Sequence, residues 1–298
     1  MANYTIYNGF WNPETIPDPV RRLVAAAAQR GIPLTPLPNT ALTAHIESAG
    51  VTVLSANGDE IGAGDTVLFW DKDVRLARAM EACGARLVNS ADAVAVCDDK
   101  AATHLVLARG GIPMPETLVA PMTYVHMDDA PSRAFRQLAA QRLGFPMVVK
   151  ECYGSLGGQV YLANNAAELD RLVDGMAARP FLVQRFVASS AGRDKRLYMV
   201  GGQLVAAMRR FSDSDFRANI GSGGHGEAYT PTAEEIRLSQ RCCELLGTDI
   251  AGVDILDGEN GVPLVCEVNA SAHMAALTAC TGVDVAGAIV AFAFGNSQ

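Results

Sequence analysis

The stretch Pro146-Met147-Val148-Val149-Lys150 leads directly into Glu151-Cys152-Tyr153-Gly154-Ser155-Leu156-Gly157-Gly158. Its apolar residues predict a strand that delivers Lys150 to the start of a glycine-rich loop. Glycines let backbone N–H groups approach an anion closely, and a lysine supplies positive charge for a phosphate group. The motif is not a Walker A loop, because the lysine precedes the glycines. We predict a phosphate-binding loop; a solvated lysine beside a mobile hairpin is the alternative.

A second group of polar residues falls on two strand-like runs near the end of the chain. Glu267 and Asn269 lie two residues apart, so they share one face of their strand. Asp254 stands among apolar residues in the preceding run, and the turn formers of Asp257–Gly261 predict a hairpin between the two. Three oxygen ligands suit Mg²⁺, or Mn²⁺ in its place. A buried Asp254 without a partner would be costly, which favours the metal site.

Charged residues cluster between these two groups. They are Arg193, Asp194, Arg196, Arg209, Arg210, Arg217 and the neighbouring Asn219. Arginine forms bidentate contacts with carboxylate and phosphoryl oxygens. Any one of these residues alone could form a surface ion pair. Their position between the predicted phosphate loop and the predicted metal site favours a role in a binding site.

Strand-like and helix-like runs alternate through the first third of the chain and predict a small α/β layer with a parallel sheet. The expected strands are Tyr4–Tyr7, Val51–Leu54, Val67–Trp70 and Arg86–Asn89, and the expected helices are Pro19–Arg30 and Asp73–Cys83. A boundary is expected near Cys97, where Asp98-Asp99-Lys100 opens a helix that runs to Arg109. The layer contains no G-x-G-x-x-G, so a dinucleotide-binding fold lacks its usual fingerprint.

The rest of the chain is predicted to be mixed and then strand-rich. The expected helices are Ser132–Leu143, Ala166–Met176, Ala233–Leu246 and Val283–Phe294. The expected strands are Met147–Lys150, Phe181–Phe186, Leu197–Val200, Gln203–Phe211, Ile250–Leu256 and Pro263–Asn269.

The composition is that of a folded protein: 298 residues, 49% hydrophobic, 19% charged, with a net charge of −8. An acidic chain without a stripe of Lys and Arg disfavours nucleic acid and anionic membranes as partners. The first residues show no signal peptide, and the longest apolar runs are too short to span a bilayer. Seven cysteines without a C-x-x-C pair indicate reduced thiols. We therefore expect a cytoplasmic protein.

Taken in order, these motifs resemble the ATP-grasp superfamily. The order is Lys100, Val149-Lys150 with its glycine loop, Val183-Gln184-Arg185-Phe186-Val187, Asp194-Lys195-Arg196, Arg217-Ala218-Asn219, Gly252-Val253-Asp254 and Glu267-Val268-Asn269. Within it, the chain most resembles the RimK-type α-L-glutamate ligases, relatives of glutathione synthetase, from about Asp98 to Phe292. The resemblance implies an α/β fold of the α+β ATP-grasp type. It would have a Rossmann-like preATP-grasp domain at 1–97, a central lid subdomain at 98–183 and a C-terminal subdomain with the metal site at 184–298.

The resemblance also implies a role for each motif. The residues implied to bind the phosphates of ATP are Lys100 and Lys150, with Gly154, Ser155, Gly157 and Gly158 closing over them. The implied hinge against adenine, largely through backbone groups, is Gln184, Arg185, Phe186 and Val187, with Asp194 also in the nucleotide site. The implied Mg²⁺ ligands are Asp254, Glu267 and Asn269. The residues implied to steady the transferred phosphoryl group and the acylphosphate are Arg210, Arg217 and Asn219.

Three segments depart from the family pattern or have no assigned role. The hinge carries Arg185 where these ligases usually have an acidic residue, and ATP binding is expected to survive because the backbone does much of the work. The run Ala270-Ser271-Ala272-His273-Met274 replaces small residues and a proline-glycine pair, which puts glutamate specificity in question. The segment Phe69–Asp73 is expected to supply a helix N-cap, with a wall of the substrate cleft as the alternative. His273 is expected to contact substrate or to make a structural hydrogen bond more readily than to act as a general base.

The predicted activity is that of an ATP- and Mg²⁺-dependent ligase, which joins a carboxylate to an amine through an acylphosphate and releases ADP and phosphate. Its substrates would be small molecules or peptides, glutamate or another amino acid among them, and relatives suggest a homo-oligomer. The alternatives are another ATP-grasp chemistry, such as carboxylation or ligation to a thiol, and a nucleotide-binding regulatory module without turnover.

Overall fold

The computed structural model describes residues 1–10, 15–123, 130–155, 157–176, 178–220 and 223–295, and the side chains of 130–132 are not described. Leu156 of the predicted phosphate loop lies outside the described residues. Within the described part, the strands form four sheets, and one of them lies within the stretch of chain that forms the first.

The first part of the chain forms a parallel sheet with strand order β2-β1-β6-β7. Its elements are β1 (Asn3–Tyr7), α1 (Asp18–Gln29), β2 (Thr35–Pro38), β6 (Thr66–Trp70), α2 (Val74–Ala82) and β7 (Arg86–Val88). Strands covered on both faces are continuously apolar, and Val67, Leu68 and Phe69 are almost fully buried. The predicted parallel α/β layer is confirmed.

The strand predicted at Val51–Leu54 belongs to a separate sheet. It is part of β4 (Gly50–Ser55), which pairs antiparallel with β3 (Leu42–Glu47) and β5 (Glu60–Ile61). The expectation that it joins the parallel layer is wrong. Only Val53 of β4 is fully buried, whereas a strand inside a parallel sheet needs apolar residues toward both faces.

The middle of the chain forms an antiparallel sheet with order β10-β9-β11-β8. Its elements are β8 (Thr117–Val119), α5 (Ala130–Leu143), β9 (Met147–Glu151), β10 (Val160–Ala163), α6 (Ala166–Met176) and β11 (Phe181–Arg185). Phe135, Val149 and Leu169 share one core, so both helices pack on the same sheet. The predicted helices and the two longer strands are confirmed to within two residues at each end.

The last part forms a five-stranded antiparallel sheet with order β14-β13-β12-β15-β16. Its strands are β12 (Arg193–Val200), β13 (Gln203–Phe211), β14 (His225–Ala228), β15 (Ile250–Asp257) and β16 (Pro263–Asn269). The helices around it are α3 (Ala91–Asp98), α4 (Lys100–Arg109), α7 (Ala233–Leu246), α8 (Ala275–Thr281) and α9 (Val285–Phe294). The hairpin predicted between the last two strands is confirmed. Helices α3 and α8 and the strands β2, β3, β5, β8, β10 and β14 were not predicted.

Both faces of this sheet are covered. Leu23 of α1 packs with Tyr198 and Ile289 on one face, which joins the N-terminal layer to the sheet. Leu107 of α4 packs with Val253 on the other. The predicted domain boundaries stay a prediction. The boundary predicted after residue 183 falls inside β11. Helix α4, which the prediction assigned to the lid subdomain, packs on the C-terminal sheet.

Across the described residues, no single helix is both long and apolar enough to cross a bilayer. Helices α8 and α9 reach that length and hydropathy only as a pair bent by 116°.

Candidate active site

One cavity between the middle sheet and the C-terminal sheet collects almost every residue that the sequence singled out. All of the predicted site residues line it except Gly158 and Asn269. Gly158 lies in the glycine loop and donates its N–H to the carbonyl of Ser155 at 3.3 Å. Asn269 lines a second cavity, which shares Ser155, Arg210 and Glu267 with the first. The two cavities therefore meet at one place.

Two buried lysines, the lysine pair, face the first cavity. Lys100 begins α4, where Asp99 caps the helix, and Lys150 lies near the end of β9. The Lys100 Nζ atom lies 3.8 Å from the nearest Glu267 carboxylate oxygen and 3.3 Å from the carbonyl of Gly154. The Lys150 Nζ atom contacts only the Cys266 sulfur, at 3.5 Å, among the described residues. Because buried cations need anionic partners, this pair suits the phosphates of a nucleotide.

Four charged side chains, the buried quartet, lie on β12, β13 and β15: Arg196, Arg210 and Asp254 are buried, and Asp194 is partly buried. Arg196 binds both Asp254 oxygens, each at 2.7 Å. Arg210 binds both Asp194 oxygens and the Oδ2 atom of Asp254, also at 2.7 Å. Burial alone would raise the pKa of Asp254, but the two guanidinium groups overcome it and lower the pKa below its usual value. The formal charges of the quartet sum to zero, and burial raises the pKa of Asp194.

The quartet corrects one premise of the metal prediction. The sequence argument treated Asp254 as a buried acid without a partner, and that premise is wrong because two arginines bind it. Its Oδ1 atom accepts one hydrogen bond and Oδ2 accepts two. Since each carboxylate oxygen has two lone-pair sites, Oδ1 keeps one site for a further ligand.

The other two predicted metal ligands lie beside Asp254. In the hairpin, Asp254 pairs with Glu267, and Gly252 pairs with Asn269. Within the described residues, no group of three or more His, Cys, Asp or Glu side chains is arranged to hold a metal ion. The predicted set contains two carboxylates and one amide. Its all-oxygen chemistry fits a hard cation such as Mg²⁺, and the assignment stays a prediction.

Arg217 and Asn219 lie against the glycine loop at Gly157. Arg217 donates from Nη1 to the carbonyl of Gly157 at 2.6 Å, while Asp215 holds the rest of its guanidinium group. Gly157 has a φ of +75°, and a Cβ there would lie 3.1 Å from the Asn219 amide oxygen. Glycine is therefore required both by the backbone and by this close approach. The sequence predicted Arg217 at the phosphoryl group; the structure also makes it the clamp of the loop.

Lys72 is a loop contact that sequence reasoning missed. Its Nζ atom lies 2.5 Å from Asp98 and 3.4 Å from the carbonyl of Gly154. It links the N-terminal layer to the glycine loop. Its position just after an apolar strand was the only signal in the sequence.

In the predicted adenine hinge, the side chains of Gln184 and Arg185 bind residues outside the hinge. Gln184 donates to Thr117 at 3.0 Å and lies 2.5 Å from the Nε2 atom of buried His104. Arg185 binds Glu116 at 2.5 Å, which gives this departure from the family pattern a partner of its own. Burial, together with the charges of the lysine pair, lowers the pKa of His104 to about 3, so the ring is neutral. The role of backbone groups in binding a nucleotide base stays a prediction.

The second cavity, of about 510 Å³, has the size of an ordinary small-molecule site. The loop Ala270–His273 lines it, opposite Trp70, Asp71 and Lys72. In the segment Phe69–Asp73, Asp73 caps α2 through the N–H of Leu76, as expected, and Asp71 lines this second cavity. His273 is exposed at the rim, where partial enclosure and the charge of Arg196 lower its pKa.

The sequence model of the RimK-like ATP-grasp domain matches residues 97–293. The chain belongs to this family. It is 34% identical over 226 residues to the β-citrylglutamate synthase B of Danio rerio, covering 74% of this chain and 54% of that protein. It is 32% identical over 259 residues to a probable α-L-glutamate ligase of Thioalkalivibrio sulfidiphilus, covering 86% and 81%.

A solved RimK-domain ATP-grasp protein of Sphaerobacter thermophilus superposes with a TM-score of 0.73 at 25% identity, covering 99% of this chain and 100% of that one. The predicted resemblance and the ATP-grasp fold are thereby confirmed. The chain spans about half the length of the β-citrylglutamate synthases it matches. The activity of those longer proteins is therefore only a proposal for this chain.

Proposed function

We propose that this protein is an ATP-dependent carboxylate–amine ligase that forms an amide through an acylphosphate and releases ADP and phosphate. The observation that carries the proposal is the junction of the two cavities. Two buried lysines face one cavity, with no carboxylate oxygen of the described residues closer than 3.8 Å, and Arg210, Asn219 and Glu267 line both cavities. A phosphoryl group bound in the first cavity would there meet a carboxylate bound in the second.

The chemistry follows from what the residues at the junction offer. Lys100 and Lys150 would offset the phosphate charges. A substrate carboxylate oxygen attacks the γ-phosphorus and the bond from that phosphorus to ADP breaks. The described residues leave Nη1 of Arg210 without a partner, so it is available to the transferred group. Positioning and charge stabilisation of this kind carry most of the catalysis in phosphoryl transfer.

In the second step, the amine nitrogen attacks the acyl carbon, phosphate leaves with the C–O electron pair, and the amine gives up a proton. The glycine loop, held by Arg217 and Lys100, would keep water from the acylphosphate. Asp254, Glu267 and Asn269 would hold Mg²⁺, which supplies charge neutralisation on the β- and γ-phosphates when bound.

The names of the relatives make glutamate the first amine to test. The Ala270–His273 loop that departs from the family pattern lines the substrate cavity. The amino acid accepted by this protein is therefore expected to depend on that loop.

The test is to incubate the protein with ATP, Mg²⁺ and pools of amino acids, short peptides and dicarboxylates, and to identify the nucleotide product. ADP and phosphate that depend on substrate, and that disappear in Lys150→Ala and Glu267→Ala, would support the ligase. AMP and pyrophosphate would mean adenylation. ATP binding without turnover in any pool would favour a regulatory module, and a requirement for bicarbonate or a thiol would favour the other ATP-grasp chemistries.

A further inference from the structure

Asp71 is a buried acid on the wall of the substrate cavity. It follows directly after β6, its exposed fraction is 5%, and it lines the second cavity together with Asn8. Its Oδ1 atom accepts from the Lys72 N–H at 2.6 Å and from the Asn8 amide at 3.2 Å. Its Oδ2 atom is buried and has no hydrogen-bond partner among the described residues.

Asp71 also differs from the other charged groups around this cavity. Each of the others has an oppositely charged partner among the described residues: Lys72 with Asp98, Arg196 with Asp254, Arg210 with Asp194, and Glu267 with Lys100 at the longer distance of 3.8 Å. The described residues place no cation within ion-pair distance of Asp71, and the nearby Asp73 carries the same sign.

An arrangement of this kind is unfavourable for the empty protein. A buried carboxylate oxygen without a partner loses its hydration and gains nothing in return. Burial accordingly raises the pKa of Asp71. A cost of this sort at a cavity wall is typical of a ligand-binding position, because the ligand completes the missing contact.

We propose that Asp71, oriented by Asn8, binds a substrate ammonium group that does not itself react. The inference rests on the proposed ligase function and deepens it. The reacting atoms belong where the cavities meet, and Asp71 lines only the second cavity. The substrate that is activated would then be an α-amino acid or a peptide with a free amino group, bound by that group while its carboxylate reaches the junction.

The experiment compares two matched pools as carboxylate substrates: the twenty common amino acids with simple dipeptides, and the same compounds N-acetylated. Hydroxylamine serves as a general nucleophile, so that ADP release reports carboxylate activation alone. The wild-type protein should favour the free amino pool about 10- to 100-fold in kcat/KM, the range expected for one hydrogen bond to a charged group. Asp71→Asn should erase that preference while sparing turnover of the acetylated pool.

Asp73→Asn is the matched control, because it removes the same charge two residues away and asparagine remains a good N-cap. It should leave the preference intact. The Tm of Asp71→Asn should equal or exceed that of the wild type, since a binding role costs stability in the empty protein. A lower Tm with an unchanged substrate preference would assign Asp71 to the structure and overturn the inference.

The remaining outcomes separate the inference from the proposed function. ADP release that is equal for both pools overturns the inference and leaves the ligase standing. If no pool releases ADP, the ligase proposal fails, and calorimetric titration of the free amino pool into the protein with ADP decides the inference alone. Binding that Asp71→Asn abolishes would support it, and no binding to the wild type would overturn it.

Discussion

Three residues of the buried quartet line the same cavity as the lysine pair, but the two groups are built in opposite ways. In the quartet, Arg196 and Arg210 hold Asp254 and Asp194 through charge-assisted contacts of 2.7 Å. In the lysine pair, the nearest carboxylate oxygen lies 3.8 Å from Lys100, and Lys150 has no carboxylate partner among the described residues. The quartet is complete in the empty protein, whereas the lysine pair is complete only with an anion bound. We therefore expect the quartet to contribute mainly to stability and the lysine pair to contribute mainly to ligand binding.

The strongest test of this contrast is Asp254→Ala. Removing this carboxylate leaves Arg196 and Arg210 buried and undercompensated, and breaking a buried pair in this way costs about 3–5 kcal/mol. Urea unfolding without nucleotide or metal measures the loss. Glu244→Ala, which breaks the exposed pair with Arg241, should cost less than about 1 kcal/mol. Equal small losses in both variants would show that the quartet is not a stabilising unit.

Lys150→Met is expected to do the reverse. The methionine fills a similar volume without charge, so stability should hold or rise, while turnover should fall about 10²- to 10³-fold because one phosphate contact is lost. Lys195→Met is the control: Lys195 is paired with Glu235 at 2.8 Å and Asp257 at 2.5 Å, so it should lose stability and keep ATP affinity. A large loss of stability in Lys150→Met would contradict the contrast.

Arg217→Ala probes the glycine loop, which lines the same cavity as the lysine pair. Losing the 2.6 Å contact to Gly157 should open the loop, and we expect the amide yield per ADP to fall about tenfold as water reaches the acylphosphate. The measurement is the ratio of amide to ADP, with exposed Arg209→Ala as the control. If that ratio stays constant while kcat falls, Arg217 acts on the phosphoryl group, as the sequence alone had implied.

The sequence predicted what depends on local patterns. The strand before Lys150, its glycine loop and the hairpin between Asp254 and Glu267 each follow from alternation and turn formers within a dozen residues. Their order along the chain then identified the family. The elements it missed are short, such as Val160–Ala163, or half-exposed, such as His225–Ala228.

The partners of Asp254 could not be predicted in the same way. Arg196 and Asp254 lie opposite each other on β12 and β15, 58 residues apart in the chain. That pairing depends on strand order and register, neither of which a local pattern fixes. The same holds for Asp71, whose missing partner becomes visible only once the cavity around it is defined.

The last prediction concerns the loss of stability at low pH, and it follows from His104, which lies beside the lysine pair. Its pKa in the folded protein is about 3, against about 6.5 in an unfolded chain. Between these values the unfolded chain binds a proton that the folded protein does not, so stability is full above about pH 6.5 and falls as the pH drops, by up to about 1.4 kcal/mol per unit. Urea unfolding at pH 7.5, 6 and 5 should show this slope in the wild type and a smaller one in His104→Gln. Asp254 should add nothing in this range, because its lowered pKa keeps it ionised there. Burial raises the pKa of Asp194, and any contribution from Asp194 is common to both proteins. Equal slopes in both proteins would mean that His104 takes up its proton without unfolding, and that the charges of the lysine pair do not reach it.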